Sequence, residues 1–479
     1  MKLTRDHAIL FVILFLSLFL RIYNLGSESI WIDEGFSIKS AHLTLPQIIK
    51  QASQLVENPP LYYFILHFWI KIFGASEFSA RFPSVIFGFF TVFMCYKIGK
   101  SLFNKEAGLL SALLVGLSSF HIHYSQEVRA YSLLAFLTSL SMFFFIRILR
   151  ENSPAVSSGY VLSTILLMYT HNFSLLIIMA QNIFFLMFYF LSGKNFECRI
   201  KKWIFLQIIL LIVFTPFIRI LITQISSLGS DFWIPRPSIF SIFQTFWHYT
   251  GGQYLYAPQW VDAPILLFFF FLLALSTIPR KSEIHKTSLL FLWLLIPIIL
   301  PFVISLIFRP SYVVRYTIGA SLAFYLLVAR GILNIPSRRV RIIIICIIMI
   351  FSSISIRSYY YKYHKEPWRE AVAFIDAHAE PGDLLLFNPG YCRAQCFDYY
   401  SDREDIIKKS FPKHTDRVDK TNIKELDPTV ITHNNVWIIL SHSLDKDGLI
   451  TKRLKKSYGL SLHKEYKNID IYLFALKKN

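Results

Sequence analysis

The amino-acid sequence is dominated by eleven apolar runs, each long enough to cross a bilayer as a helix. A run of roughly 17–25 apolar residues spans the hydrocarbon core. With 54% hydrophobic residues, only 16% charged residues and a mean hydropathy of +0.48, the composition excludes a soluble enzyme and a disordered protein. The sequence therefore predicts an α-helical polytopic membrane protein. The predicted spans are residues 7–25, 79–101, 107–123, 130–150, 157–172, 173–192, 203–223, 261–279, 287–308, 314–333 and 341–357.

The net charge of +19 would suggest nucleic-acid binding in a soluble chain, but its distribution indicates membrane orientation. Residues 358–479 contain 20 Lys and Arg and 17 Asp and Glu, so the first 357 residues carry a net charge of +16. If the short apolar segment 60–74 lies along the outer surface, eighteen cations fall on the inner side. Counting this segment as a span would place most of them outside. We therefore predict a cytoplasmic N-terminus in the cytoplasmic membrane and no nucleic-acid partner.

This topology divides the chain into two predicted domains. Residues 1–357 form the membrane domain, whose first outer loop (26–78) contains interfacial helices, and residues 358–479 form an extracytoplasmic α/β domain. Chemistry on the outer side has no ready access to ATP or nucleotide sugars. Inside the second domain, the patterns predict helices at 366–379 and 449–458 and strands at 383–387 and 436–440.

The outer domain contains two cysteines, Cys392 and Cys396. An oxidising compartment would permit a disulfide across this spacing, and two free thiols fit it equally well. The first apolar run, 7–25, is followed by no small-residue cleavage site and is predicted to remain as an anchor.

Polar residues interrupt the apolar pattern near the predicted outer boundary. Asp33 and Glu34 follow the first span, and adjacent carboxylates there can serve as a general base or metal ligand. The alternative is that Asp33 caps a helix. The sequence suggests no structural role for Glu57. Tyr62 and Tyr63 could either line a functional site or belong to an interfacial aromatic belt.

Three more polar segments lie at the same predicted boundary. Glu127 and Arg129 occupy a short turn between two spans. They either pair with each other at the surface or have a functional role, because charged side chains at the level of the membrane are energetically costly. A lone histidine such as His171 is more often a hydrogen-bonding residue than a ligand. Arg315, followed by Tyr316, suits either phosphate binding or snorkelling to headgroups. Together these groups could bind a lipid phosphate and deprotonate an incoming hydroxyl.

Four segments match the motifs of a known family in their order and spacing, and three more are compatible with it. The chain resembles the polyprenyl-phosphate-sugar-dependent membrane glycosyltransferases of the GT-C fold. The similar branch is the protein-mannosyltransferase-like one (glycosyltransferase family 39), which includes the aminoarabinose lipid A transferases. The matching segments are WIDEGFS (31–37), ENPPLYY (57–63), FGASEFSARFPS (73–84) and HYSQEVRAYSL (123–133), and the compatible ones are YTHNF (169–173), Arg315-Tyr316 and EPWREAVAFIDAHAEPGDLLL (366–386).

The resemblance implies a fold of about eleven transmembrane helices with interfacial helices and a small C-terminal α/β domain. It also implies an inverting transfer at the outer membrane face, with Asp33 as the general base and Glu34 supporting it. Glu127 would hold the acceptor or a metal, and Arg129 and Arg315 would bind the donor phosphate. The other residues expected to line the site are Glu57, Tyr62, Tyr63, His171 and Tyr316.

The implied donor is a polyprenyl-phosphate sugar, and the acceptor is a lipid, a protein or a polysaccharide. Relatives differ in their need for a divalent metal, for which Glu57, Glu127 and His171 are loose candidates. No other cofactor is implied. The alternative functions are a transporter or flippase of lipid-linked glycans and a non-catalytic scaffold. Few intramembrane acidic residues and no visible symmetry between halves disfavour a transporter.

Overall fold

The protein is described by a computed structural model, which is mostly helical and folds into two compact units. The helical unit contains Met1–Leu25, Thr44–Ile72 and Arg81–Tyr363. The sheet unit contains Gly26–Leu43, Phe73–Ala80 and His364–Asn479. The residues that the structure describes are 5–54, 59–192, 197–227, 234–256, 258–278, 284–413, 415–445 and 447–477.

A series of helices precedes the first strand in the sequence. The first seven are α1 (Arg5–Ile22), α2 (Ile32–His42), α3 (Leu45–Gln54), α4 (Leu61–Phe73), α5 (Glu77–Leu102), α6 (Lys105–Gly116) and α7 (Ser119–Ser125). The next nine are α8 (Tyr131–Ile148), α9 (Pro154–Met168), α10 (Ser174–Ser192), α11 (Glu197–Ser227), α12 (Ile239–Thr250), α13 (Asp262–Ser276), α14 (Ile284–Ile307), α15 (Ile318–Asn334) and α16 (Arg338–Tyr361).

Each of the eleven predicted spans coincides with a helix or a helix pair, which confirms the helical polytopic fold. Among the described residues, seven helices are long and apolar enough to cross a membrane, and the pair α6 and α7, bent by 62°, would be an eighth span. Of the remaining predicted spans, α9 and α13 are shorter, at 15 residues each. The last, α1, has 18 residues, of which three are charged. The segment 60–74 forms the 13-residue helix α4.

The bend between α6 and α7 is stabilised by Arg21 of α1, which is completely buried. Its guanidinium donates hydrogen bonds to the carbonyl oxygens of Val115 (3.3 Å) and Gly116 (3.2 Å) at the end of α6. It also donates to Ser125 Oγ (3.2 Å) at the end of α7. Gly88 of α5 leaves room for this contact, because a β-carbon there would lie 2.1 Å from Ser125 Oγ. Arg21 therefore satisfies carbonyls that the broken helix leaves without partners.

The sheet unit is built on a five-stranded mixed sheet with the order β2-β1-β3-β5-β4. The two buried strands β1 and β3 confirm the predictions at 383–387 and 436–440 to within a residue. Strand β1 pairs in parallel with β2 and β3, whereas β5 is antiparallel to β3 and β4. The strands are β1 (Leu384–Asn388), β2 (Ile407–Ser410), β3 (Asn435–Ser441), β4 (Tyr458–Tyr466) and β5 (Ile469–Leu476).

Four helices accompany this sheet: α17 (Trp368–His378), α18 (Asp398–Tyr400), α19 (Leu426–Val430) and α20 (Leu449–Leu454). The predicted helix 449–458 is wrong at its C-terminal end, because the helix stops at Leu454 and Tyr458 already begins β4. Cys392 and Cys396 are both buried free thiols.

The segment that follows Glu366 binds the first-loop residues of the sheet unit. Arg369 donates hydrogen bonds to the Glu77 carboxylate (2.6 Å) and to the Gly26 carbonyl (3.3 Å). Ser29 Oγ donates to the Glu370 carboxylate (3.1 Å). The motif WIDEGFS, residues Phe73–Ala80 of FGASEFSARFPS, and the start of the tail motif at Glu366 therefore belong to one packed unit, although the tail motif lies almost 300 residues after the other two.

Candidate functional site

The ring of Tyr131, the first residue of α8, lies next to two guanidinium groups. The guanidinium carbons of Arg129 and Arg315 lie 5.8 and 5.9 Å from its centroid. Tyr316 stacks on the same ring at 6.2 Å and contacts His171 at 4.9 Å between centroids. The turn after α7, the turn between α9 and α10, and the short 3-10 turn before α15 thus bring four predicted site residues to one aromatic ring. Guanidinium groups are well suited to bind anions such as phosphate, and two of them lie at this ring.

His171, in the turn between α9 and α10, adds a directed hydrogen-bond donor. Its Nδ1 accepts a hydrogen bond from the Phe173 main-chain N–H (3.1 Å), so the neutral ring carries its proton on Nε2. His171 Nε2 and Tyr131 Oη are buried and have no hydrogen-bond partner among the described residues.

Two other predicted residues, Tyr62 and Tyr63, lie in the first turn of α4. The Tyr62 ring is buried, and its hydroxyl shares a hydrogen bond with Ser84 Oγ at 3.4 Å. Ser84 Oγ in turn donates to the carbonyl oxygen of Arg129 at 3.4 Å. Tyr63 packs edge-on against Tyr62 at 6.1 Å. The two tyrosines therefore support the turn that carries Arg129.

Glu127 lies in the turn that carries Arg129 and accepts a hydrogen bond from a histidine that sequence reasoning did not assign. His123 Nε2 lies 3.0 Å from Glu127 Oε1, and both side chains are buried. The four-residue spacing was the available signal, because residues i and i+4 share a helix face. Glu127 is thus held at the end of α7 by a neighbouring side chain.

The described residues do not provide a set of ligands for a divalent metal ion. Among them, no group of three or more His, Cys, Asp or Glu side chains could hold one. Of the candidate ligands, Glu127 pairs with His123 and His171 lies beside Tyr131. Glu57, the third candidate ligand and a predicted site residue, lies outside the described residues. No chemical step is therefore assigned to a metal.

In the sheet unit, Asp33 and Glu34 lie in the first turn of α2. The N-cap of α2 is Trp31, so the interpretation of Asp33 as a capping residue is wrong. Glu34 is fully buried, and its carboxylate forms an ion pair with Lys365 Nζ at 3.0 Å. Asp33 is only partly buried. The two carboxylates of the motif therefore have different environments.

Sequence reasoning also assigned no role to Tyr131 and Arg21. Tyr131 belongs to the matched segment 123–133, but a tyrosine at the end of a span is equally typical of an aromatic belt. Arg21 had a clearer signal, because an arginine inside an apolar run is expensive and has a function by default.

Comparison with known proteins agrees with this architecture. Residues 57–220 match the family of dolichyl-phosphate-mannose-protein mannosyltransferases. The structure of ArnT from Cupriavidus metallidurans in the apo state aligns over 97% of both chains, with a TM-score of 0.63 and 11% identity. ArnT bound to undecaprenyl phosphate aligns over 98% of this chain and 97% of its own, with a TM-score of 0.60 and 11% identity.

Two further similar proteins align over a smaller part of their own length. The oligosaccharyltransferase AglB from Archaeoglobus fulgidus, in complex with an inhibitory peptide and a dolichol-phosphate, aligns over 98% of this chain and 74% of its own. Its TM-score is 0.58 and its identity 10%. A protein of Aquifex aeolicus is 28% identical over 135 residues, which is 26% of this chain and 27% of that relative. The match thus spans about a quarter of this curated relative's length.

Proposed function

We propose that this chain is a glycosyltransferase of the GT-C superfamily, in its protein-mannosyltransferase-like branch, which the family match of residues 57–220 and the structural similarity to ArnT support. It transfers a sugar from a polyprenyl-phosphate carrier to an acceptor hydroxyl or phosphate at the outer face of the cytoplasmic membrane. The undecaprenyl phosphate bound to ArnT and the dolichol-phosphate bound to AglB support a lipid phosphate as the carrier.

The observation that carries this proposal is the cationic site at Tyr131. Arg129 and Arg315 offer guanidinium groups, and His171 Nε2 and Tyr131 Oη offer buried hydrogen-bond donors. A phosphate monoester or diester presents several oxygens to such donors. As the bond between the sugar and the phosphate breaks, negative charge grows on the leaving phosphate. Donors that are already in place stabilise that charge without reorganisation.

The transfer needs a base but no strong leaving-group acid. The acceptor oxygen loses its proton to a carboxylate and forms the new bond to the anomeric carbon. The polyprenyl phosphate leaves with the electrons of the broken bond, and the anomeric configuration inverts. We assign the base to Asp33, because it is the less buried of the two adjacent carboxylates, whereas Glu34 is fully buried in its ion pair with Lys365.

The test uses the full-length protein, purified in nanodiscs and incubated with a panel of polyprenyl-phosphate sugars. We expect a mass shift of one sugar on an acceptor, or release of free sugar when water is the acceptor. Arg315→Gln should reduce this activity and the binding of undecaprenyl phosphate. Arg309→Gln, an exposed arginine in the same segment, is the matched control.

Two results would refute the proposal. One is the absence of transfer and hydrolysis with every donor, together with undecaprenyl phosphate binding that Arg315→Gln leaves unchanged. The other is movement of intact lipid-linked sugar across proteoliposomes without any transfer, which would indicate a transporter.

A further inference from the structure

The turn that carries Glu127 and Arg129 begins at Gln126, directly after the last residue of α7. The main-chain N–H of Gln126 ends α7 by donating to the carbonyl oxygens of Ile122 (3.1 Å) and His123 (2.9 Å). The following residues, up to the start of α8, belong to no helix or strand. A segment without regular main-chain hydrogen bonds depends on other contacts for its position.

The Gln126 side chain reaches the C-terminal end of α1. It is 6% exposed, and its Nε2 donates to the main-chain oxygens of Arg21 (3.0 Å) and Tyr23 (2.7 Å). Helix α1 ends at Ile22, and the last carbonyl groups of a helix find no donor inside it. The Gln126 amide therefore caps α1 and attaches the turn to it.

The carbonyl side of the same amide binds Tyr359, near the C-terminal end of α16. Tyr359 is 6% exposed, and its hydroxyl donates to Gln126 Oε1 at 2.9 Å. Because two carbonyls of α1 need the N–H groups and the tyrosine hydroxyl can donate, these partners fix the orientation of the amide. The Tyr359 ring also packs edge-on against His123, with 5.5 Å between centroids, and His123 is the partner of Glu127.

Arg129 follows Gln126 by only three residues. Its carbonyl oxygen accepts from Ser84 Oγ (3.4 Å), and its guanidinium carbon lies 5.8 Å from the centroid of the Tyr131 ring. A displacement of Gln126 would therefore shift this guanidinium relative to the other donors of the phosphate site. Donors of this kind stabilise charge when they are already in place, and a displacement of about 1 Å can reduce catalysis about 10²-fold.

We propose that Gln126 is a positioning residue of the phosphate site at Tyr131. Its amide joins the end of α1, the turn and α16, and so holds Arg129 where the guanidinium can bind the donor phosphate. This inference rests on the proposed function, in which Arg129 binds a lipid phosphate. Gln126 takes no part in the chemical step and acts through Arg129.

A second tyrosine–glutamine pair in the helical unit provides a matched control. Tyr160 Oη donates to Gln181 Oε1 at 3.0 Å, and Gln181 Nε2 donates to Ser141 Oγ at 3.0 Å. Both Tyr160 and Gln181 are 0% exposed. They connect the middle of α8 with α9 and α10. Loss of this pair therefore reports what a buried glutamine contributes to stability alone.

The test compares Gln126→Met with Gln181→Met in full-length protein in nanodiscs. We expect both variants to lower the melting temperature, because each removes buried hydrogen bonds. Only Gln126→Met should bind undecaprenyl phosphate more weakly, by about tenfold, a loss comparable to that of one hydrogen bond to a charged group. In donor hydrolysis by water, Gln126→Met should also raise the KM for the donor and lower kcat, whereas Gln181→Met should change neither.

Tyr359→Phe and Tyr160→Phe repeat the comparison with a smaller change, which keeps the test decisive if Gln126→Met does not fold. Each removes one hydroxyl that donates to a glutamine. Tyr359→Phe should weaken the binding of undecaprenyl phosphate measurably, and Tyr160→Phe should leave it unchanged.

Arg315→Gln separates this inference from the proposed function. If Arg315→Gln weakens lipid binding but folded Gln126→Met and Tyr359→Phe bind like their controls, the positioning role is wrong and the phosphate site stands. If every variant, Arg315→Gln included, binds undecaprenyl phosphate like the wild type, the phosphate site is wrong and the positioning role falls with it. Equal weakening by Gln126→Met and Gln181→Met would also overturn the positioning role, because it would indicate a loss of stability rather than of position.

Discussion

Glu34 and Lys365 form an ion pair of 3.0 Å in which the side chains are 0% and 4% exposed. The pair joins the first-loop helix α2 to the segment before α17 within the sheet unit. Removing one partner of a buried pair leaves an uncompensated charge, which costs about 3–5 kcal/mol. Glu34 therefore stabilises the sheet unit next to Asp33 in the first turn of α2.

Lys365→Met should lower the free energy of unfolding by about 3–5 kcal/mol, whereas the double variant Glu34→Gln/Lys365→Met should lie closer to the wild type. Melting temperatures in detergent measure both. Lys424→Met, an exposed lysine of the sheet unit, is the control and should be neutral. Equal destabilisation by the single and double variants would contradict the ion-pair explanation.

Gly88→Ala should destabilise the helical unit, because the added β-carbon would lie 2.1 Å from Ser125 Oγ and disturb the Arg21 hydrogen bonds. Each buried carbonyl that Arg21 releases costs about 1–3 kcal/mol. Gly116→Ala is the matched control, since its β-carbon meets its nearest neighbour, Ser17, at 3.5 Å. Thermal unfolding compares the two variants, and an equal effect would argue against the role assigned to Gly88.

Tyr131→Phe removes a buried hydroxyl that has no hydrogen-bond partner among the described residues. The stability of the ligand-free protein should therefore stay the same or rise. Undecaprenyl phosphate should bind about tenfold more weakly, because a hydrogen bond to a charged group contributes about 1.5–3 kcal/mol. Tyr160→Phe is the contrast: Tyr160 donates to Gln181 (3.0 Å), so its loss should reduce stability and spare binding. Unchanged lipid affinity in Tyr131→Phe would remove Tyr131 from the phosphate site.

Asp33→Asn should reduce kcat about 10²–10⁴-fold, the usual contribution of a general base, and leave undecaprenyl phosphate affinity unchanged. Asp402→Asn, at an exposed position of the sheet unit, should have no effect. Single-turnover transfer and lipid binding are measured on the same preparations. Normal transfer by folded Asp33→Asn protein would contradict the assignment of the base.

The His442–Glu366 pair predicts a pH dependence of stability. The hydrogen bond that His442 donates to the Glu366 carboxylate raises the pKa of His442 above its unfolded value, which is about 6.5. The stabilisation is therefore complete below about pH 6.5 and is lost as the pH rises through the folded pKa. His442→Gln should lower the melting temperature more at pH 5.5 than at pH 9. A deficit that grows toward high pH would refute this linkage.

Much of the fold could be predicted from local patterns. The apolar runs predicted the positions of the spans, because each run is long enough to cross the hydrocarbon core of a bilayer as a helix. Strands β1 and β3 were predictable because they are buried, continuous apolar runs. Strand β4 was not, because its exposed residues Ser461, His463 and Lys464 interrupt the apolar pattern.

The sequence by itself determined that the chain is a polytopic membrane protein. It also determined which short segments carry unusual polar residues. Only the tertiary structure decided how those residues are combined. It pairs Glu34 with Lys365 and Glu127 with His123, and it brings Arg129 and Arg315 to the ring of Tyr131. The four-residue spacing can reveal the second of these pairs, in which His123 lies in α7 and Glu127 in the turn just after it. The others join residues far apart in sequence, and the packing of separate segments determines which side chains meet.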